Sequence, residues 1–306
     1  MEKINIFCPA TIANVSCGFD VLGLCLEQVG DIMTISKSSE PGIRIKRISG
    51  QDLPLQPDRN VAGIAAMALL ECTGSEQGFE IEIEKRIKPG SGIGSSAASA
   101  AGAVFGINSL LGSPFSTSEL IPFAMKGEEL ASGVPHADNV APALLGGFSL
   151  VRSYDPLDVI TLPVPDDLYV TVIHPQIELK TADSRAVLKK TVPLSHAIRQ
   201  WGNLAGLVSG LYENDYDRIA ASLQDVIIEP LRGPLIPGFS ELKQIASEGG
   251  ALGSGISGSG PSVFALSRGK KTAQAVAELM NVFYRKLDVA FEIHVSAISA
   301  KGTHII

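Results

Sequence analysis

The sequence predicts an α+β protein of two lobes, and three observations carry that expectation. Strand-like and helix-like runs follow one another irregularly, without the strict strand–helix–strand period of a doubly wound parallel sheet. A Pro-rich stretch at 155–167 separates a first half from a second. Over 306 residues, 45% are hydrophobic and 19% charged, enough apolar surface for one large core or two ordinary ones. The lobes are expected at 1–155 and 156–306, with no internal repeat.

The first lobe opens with short β-rich runs at 4–8, 31–36 and 43–48, each bounded by turn residues. At 79–84, Phe79, Ile81 and Ile83 alternate with Glu80, Glu82 and Glu84, as in a strand with one wet face. Residues 60–72 read as a helix with small residues on its inner side. Further helices are expected at 95–111, 117–131 and 139–144, then a strand at 148–152. In the second lobe a strand at 169–174 precedes helices at 183–190, 195–212 and 215–223. A glycine-rich segment at 249–260, a strand at 262–267, a helix at 271–285 and a strand at 291–298 close the chain.

The net charge of −7 argues against a nucleic-acid partner, because a phosphate backbone demands clustered Lys and Arg. Small anions remain open, since a few local donors suffice for them. Cys8, Cys17, Cys25 and Cys72 show no metal-ligand spacing and fit a reducing compartment better than a disulfide scaffold. The N-terminus has an early acid and no long apolar run, so no signal peptide is expected. Residues 89–118 carry no charge, but their Gly, Ser and Pro content favours a buried helix over a membrane span. The expectation is a soluble, cytoplasmic protein with no membrane contact.

Chemistry enters at PGSGIGSSAA, residues 89–98. Gly90, Gly92 and Gly94 alternate through a loop, and Ser95-Ser96 open an apolar, Ala-rich helix. Glycines let an anion approach backbone N–H groups closely, and a helix N-terminus adds free donors and a positive dipole end. Taken alone, the loop is equally a turn before a Ser-capped helix.

Three other segments bear on it. In PATIANVSCGFDVLGLCL, residues 9–26, Asn14 and Asp20 sit among apolar neighbours; alone, Asp20 reads as a structural Asx turn. In KGEELASGVPHADNVAPALLGGF, residues 126–148, Glu128 or Glu129 offers a hard-oxygen ligand for Mg²⁺. His136, Asp138 and Asn139 crowd one turn there, although Asp138 alone is explained as a helix cap. In GISGSGPSVFAL, residues 255–266, a second glycine loop runs into a strand.

Together these segments resemble the GHMP kinase family, over nearly the whole chain. PGSGIGSSAA resembles its central phosphate-binding motif, and GISGSGPSVFAL its third motif. The PAT-ANxxxGFDxLG and H-ADNVAPALLGGF blocks resemble the members that phosphorylate L-homoserine in threonine biosynthesis. One departure is Val15-Ser16-Cys17, which leaves the local turn, and with it Asn14, unplaced.

The resemblance implies a ribosomal-protein-like N-terminal lobe and a ferredoxin-like C-terminal lobe, with ATP over the loop formed by Pro89, Gly90, Ser91, Gly92, Ile93, Gly94, Ser95 and Ser96. It places Ser96 and Glu128 on Mg²⁺ and Asn60 near the adenosine. L-homoserine would lie between the lobes, its ammonium on Asp20 and its carboxylate on Arg185 and Arg232, whose planar forks suit a carboxylate. Asn14 and Asn139 are implied near the hydroxyl, with His136 and Thr181 lining the pocket. Asn139 cannot accept a proton as a base, so in-line transfer without a dedicated protein base is expected. Asp138 is expected to be structural, because neighbouring residues rarely point the same way.

Family members often form homodimers, but the sequence leaves oligomeric state open. Rival readings are a mevalonate-type kinase and a non-catalytic amino-acid-binding relative. A P-loop NTPase is disfavoured by the absence of G-x-x-x-x-G-K-[ST]. A serine hydrolase is disfavoured because GSGISGSG leads into Pro261 and a strand, not a nucleophile elbow.

Overall fold

The computed structural model describes residues 2–177, 179 and 181–306, with the backbone alone for 132 and 181–183. In chain order the first elements are β1 (Lys3–Ala13), β2 (Leu22–Ser38), β3 (Ile43–Ser49), α1 (Val61–Thr73) and β4 (Gly78–Glu84). Next come α2 (Ser95–Leu110), α3 (Ile121–Ser132), α4 (Val140–Leu145), β5 (Phe148–Tyr154) and β6 (Leu157–Leu162). The second half holds β7 (Leu168–Pro175), α5 (Thr181–Ala186), α6 (Leu194–Glu213), α7 (Tyr216–Ser222), α8 (Glu229–Arg232) and α9 (Phe239–Glu248). It closes with β8 (Gly253–Ile256), β9 (Val263–Arg268), α10 (Lys270–Tyr284), β10 (Phe291–Ala297) and β11 (His304–Ile305).

Two sheets organise these elements. The first has the order β11-β1-β2-β4-β3, extended by β5 on β2 and β6 on β5. The second has the order β10-β7-β9-β8, antiparallel throughout. Numbered along the chain, its strands lie 4-1-3-2 with helices in the first and last connections, a ferredoxin-like arrangement. The first sheet reaches further than the sequence indicates. Leu157–Leu162 and His304–Ile305 belong to it, so the chain changes sheet after residue 162, not at 155, and returns at its end.

The alternation in β4 does what its pattern predicts. Phe79, Ile81 and Ile83 are buried, while Glu80 and Glu82 face Arg44 and Arg47 of β3 across the register. The uncharged α2 is a central helix, buried along most of its length. Its glycines let it ride directly on β1: a Cβ on Gly102 would fall 2.3 Å from Cys8 Sγ, and one on Gly106 2.3 Å from Ile6 Cδ1. Among the described residues no helix is long and apolar enough to cross a membrane.

Under the first turn of α2 lies a buried ion pair. Lys85 Nζ donates to Asp31 Oδ2, to the Ser95 carbonyl at 2.8 Å and to Ser99 Oγ at 3.1 Å. Asp31 Oδ1 accepts from the Arg86 and Ile87 amides at 2.7 and 2.9 Å. One cation thus ties β2, the segment after β4 and the start of α2 into a single support. Lys85→Met leaves the carboxylate buried without its cation, and the unfolding free energy in urea is expected to fall by about 3 kcal/mol or more. Unchanged urea stability would show that the two amides alone satisfy Asp31.

Candidate active site

A cavity of about 940 Å³ opens where α2, the turn after β1, the start of α4 and the second sheet's loops converge. One wall is the glycine loop. Gly90, Gly92 and Gly94 have φ of +74°, +82° and +72°, the left-handed alternation from which backbone anion cradles are built. Gly92 has a second reason to lack a side chain: its Cβ would sit 2.7 Å from the carbonyls of Ser257 and Gly260. The cradle leads into the N-terminus of α2, whose first amides have no intrahelical partner.

Beside the cradle, Glu128 from α3 is buried and accepts a hydrogen bond from Ser96. Burial pushes its carboxyl up to about 7, partly offset by Ser96 and by the charge of Lys85. A carboxylate and a hydroxyl together at a helix N-terminus form a hard-oxygen pair.

The far wall is cationic. Arg185 Nη2 donates to both oxygens of Asp20, at 3.0 and 3.2 Å, and to His136 Nε2 at 2.6 Å. A guanidinium only donates, so His136 accepts at Nε2 and carries its proton on Nδ1, 4.0 Å from Asp20. Burial holds its pKa below the ordinary value, which agrees with a neutral ring. Arg232 is buried, its Nε on the Ser184 carbonyl at 2.9 Å and its Nη1 on Gly258 O at 3.2 Å. Burial and the neighbouring Arg185 lower its pKa to about 10. The Phe19 ring lies beneath both guanidiniums, 5.8 and 5.1 Å from its centroid.

The turn carrying Asp20 is strained. Asn14, Val15 and Ser16 have φ of +73°, +39° and +60°, and Asp20 has +59°. Left-handed backbone is costly for any non-glycine residue and an outlier for β-branched Val15. The Val15-Ser16-Cys17 departure is therefore a left-handed turn, closed by Gly18 N–H on Asn14 O at 2.8 Å. Asn14 is locked as well, donating to Gly258 O at 2.7 Å and accepting from the Asp20 amide at 3.0 Å.

Asp138 and Asn139 both line the cavity. Asn139 Oδ1 accepts from Thr11 Oγ1 at 2.7 Å, so its remaining function is the Nδ2 donor. Asp138 is buried with its Oδ1 unpartnered. Burial first, then the charges of Asp20 and Glu128, push its carboxyl up to about 7.

Most of the residues singled out from the sequence share this one cavity. Asn60 does not line it: its side chain caps α1, accepting from Ala62 N–H and donating to the Pro54 carbonyl at 2.8 Å. Ser91 and Ile93 also lie behind the wall, their carbonyls accepting from Ser262 and Thr11 respectively. The Thr181 side chain falls outside the described residues. The sequence reading missed Lys85, Lys88, Thr11 and Phe19. Phe19 and Thr11 stand within quoted motifs, but the two lysines carry no signal beyond preceding the glycine loop.

Two glycine loops and paired arginines around one cavity, on this pair of sheets, define a small-molecule kinase. The family models described as "GHMP kinases N terminal domain" and "GHMP kinases C terminal" match residues 60–147 and 207–286. The chain belongs to the GHMP kinase family. It is 45% identical to a homoserine kinase of Chloroherpeton thalassium, over all of both chains. The crystal structure of a homoserine kinase from Cytophaga hutchinsonii superposes with a TM-score of 0.97 at 49% identity, covering 100% of this chain and 98% of that one. L. major mevalonate kinase in complex with R-mevalonate shares the fold, with a TM-score of 0.69 at 16% identity over 97% and 95% of the two chains.

Raised carboxyl pKa values make stability pH-dependent. Asp138 and Glu128 both titrate near 7 in the fold, above their ordinary values of 3.8 and 4.5. The folded state therefore holds protons the unfolded chain has released, and stability falls as pH rises from about 4 through 7. Asp138→Asn removes one of these groups. In metal-free buffer its stability relative to the native chain is expected to improve from pH 5 to pH 8, on the order of 1–3 kcal/mol. Parallel Tm–pH curves for the two proteins would show that Asp138 is already ionised at pH 5.

Proposed function

We propose that this chain is a cytoplasmic, ATP-dependent homoserine kinase, transferring the γ-phosphoryl group of ATP to the hydroxyl of L-homoserine to give O-phospho-L-homoserine. One observation carries the reading. A glycine cradle at a helix N-terminus shares a cavity with two guanidiniums and a carboxylate, charges matched to a zwitterionic amino acid. The full-length likeness to homoserine kinases supports the same acceptor.

In this reading the phosphates rest on the amides from Gly90 to Ser96, with the fixed charge of Lys85 beneath them. Ser96 and Glu128 would hold Mg²⁺, which favours one or two carboxylate oxygens together with phosphates. When bound, Mg²⁺ supplies neutralisation of phosphate charge. Asn60 would stand near the adenosine, its amide holding the Pro54 carbonyl. Asp20 takes the ammonium, Arg185 and Arg232 the carboxylate, and Asn14, His136 and Thr181 complete the pocket. Asn139 offers its amide donor to the hydroxyl oxygen and fixes it for in-line attack. Phosphoryl transfer needs positioning and charge stabilisation more than proton abstraction, so the hydroxyl loses its proton late and without a dedicated base. The exposed apolar stripe Leu194, Ile198 and Trp201 on α6, at i, i+4 and i+7, supports a homodimer.

A second reading of the proton step rests on Asp138, whose buried, unpartnered oxygen and pKa near 7 are what a general base requires.

ATP consumption is expected with L-homoserine and not with mevalonate; turnover on mevalonate alone would overturn the assignment. Arg232→Leu should raise the KM for homoserine at least about tenfold, the value of one lost charge-assisted contact, with the KM for ATP within about twofold. An unchanged homoserine KM removes Arg232 from the pocket. Asp138→Asn should keep most of kcat if no base is needed, whereas a loss of ~10² or more with the fold intact makes Asp138 the base.

A further inference from the structure

The acceptor pocket is assembled from pieces that are distant in sequence. Asp20 stands on the strained turn after β1, and Arg232 ends the short helix α8. Neither piece is rigid by itself: the turn holds non-glycine residues at positive φ, and α8 is four residues long. Inside the pocket they are tied through the Gly258 carbonyl, which accepts from Asn14 of the turn and from Arg232, and a second tie lies outside it.

Gln200, on α6, makes that connection. Its Nε2 donates to the Cys17 carbonyl in the turn at 3.2 Å and to Asp225 Oδ1 at 3.0 Å. Its Oε1 accepts from the Val226 amide at 3.0 Å. Asp225 in turn organises the start of α8, its Oδ1 accepting from the Ile227 and Ile228 amides at 2.9 and 3.0 Å and its Oδ2 from Glu229 at 3.0 Å. One amide side chain therefore grips both the turn that carries Phe19 and Asp20 and the segment that launches Arg232. The Phe19 ring, packed under Arg185 and Arg232, is the contact through which any slip between the two pieces would reach the guanidiniums.

We propose that Gln200 is a positioning residue for the amino-acid acceptor, setting the separation of Asp20 and Arg232 without touching substrate. The proposal rests on the homoserine reading of the pocket. Glutamine suits the task because it presents a donor and an acceptor together, and here both ends are used. Leucine has comparable bulk and neither function. Glutamate keeps the bulk but sets a carboxylate against Asp225 and the Cys17 carbonyl.

The test is steady-state kinetics on the full-length protein with ATP and homoserine varied separately. Gln200→Leu is expected to raise the KM for homoserine about tenfold, with the KM for ATP and the cradle's function within about twofold; Gln200→Glu is expected to be at least as impaired. In an Arg232→Leu background the effect of Gln200→Leu on kcat/KM for homoserine should shrink to threefold or less, because the separation it sets no longer matters. A fall in Tm with both KM values unchanged makes Gln200 merely structural and overturns the proposal. So does a full tenfold effect that persists without Arg232. Native protein that consumes no ATP with homoserine overturns the homoserine reading itself, and this inference with it, a result distinguishable from a native enzyme that turns over while Gln200→Leu matches it.

Discussion

The two halves of the cavity are held in register by the interlock of two glycine loops. Ser257 Oγ donates to Gly92 O at 2.7 Å, and Ser262 Oγ to Ser91 O at 2.6 Å. The Gly258 amide donates to Ala13 O at 3.1 Å, while Asn14 and Arg232 both donate to the Gly258 carbonyl. The loop proposed to hold phosphate and the loop that orients an acceptor-side arginine are thus hydrogen-bonded to each other, backbone against side chain. No β-carbon fits at Gly92, so the closeness of the loops and the identity of the residue are one constraint. A kinase gains most from holding two reactants at a fixed separation, and this contact sets that separation.

Around the interlock the charges are arranged in layers. Lys85 and Asp31 neutralise each other in the interior and fix the base of α2. Nearer the cavity the excess is split, with carboxylates at Glu128 and Asp138 and guanidiniums at Arg185 and Arg232. The two carboxyls are pushed toward neutrality by burial, and Arg232 is pushed toward easier deprotonation. Burial is the leading cause of all three shifts, and perturbed groups of both signs gathered in one cavity are a common mark of a functional site.

Much of this was legible because the motifs are short-range. The helix after PGSGIGSSAA and the wet face of β4 follow from residue type and local spacing, whereas the acidic and cationic ends of the pocket were implied only by the family resemblance. What was not legible depends on tertiary contact. Two polar residues, Glu27 and Gln28, interrupt the apolar pattern of β2, so its full length does not show in periodicity. β6 and β11 are short or half-exposed strands that exist only because β5 and β1 offer free edges. Lys85 looks like any surface lysine until α2 covers it. Asn60, which family resemblance places near a ligand, uses its Oδ1 to cap α1 and its Nδ2 to hold the Pro54 carbonyl, contacts that its sequence position does not show.

The geometry of Asp20 and Arg185 bears on selectivity. These residues, assigned to the ammonium and the carboxylate of the acceptor, are paired with each other. Both side chains keep a little over a quarter of their surface exposed, so water screens part of the attraction between them. A zwitterion can insert by exchanging one ion pair for two, leaving every charge matched. A hydroxy acid without an ammonium would take Arg185 away and strand Asp20 beside the raised carboxyl of Asp138. Under the proposed assignment, discrimination against such acids would come from the uncompensated carboxylate, the general way a polar pocket rejects an analogue that lacks one group.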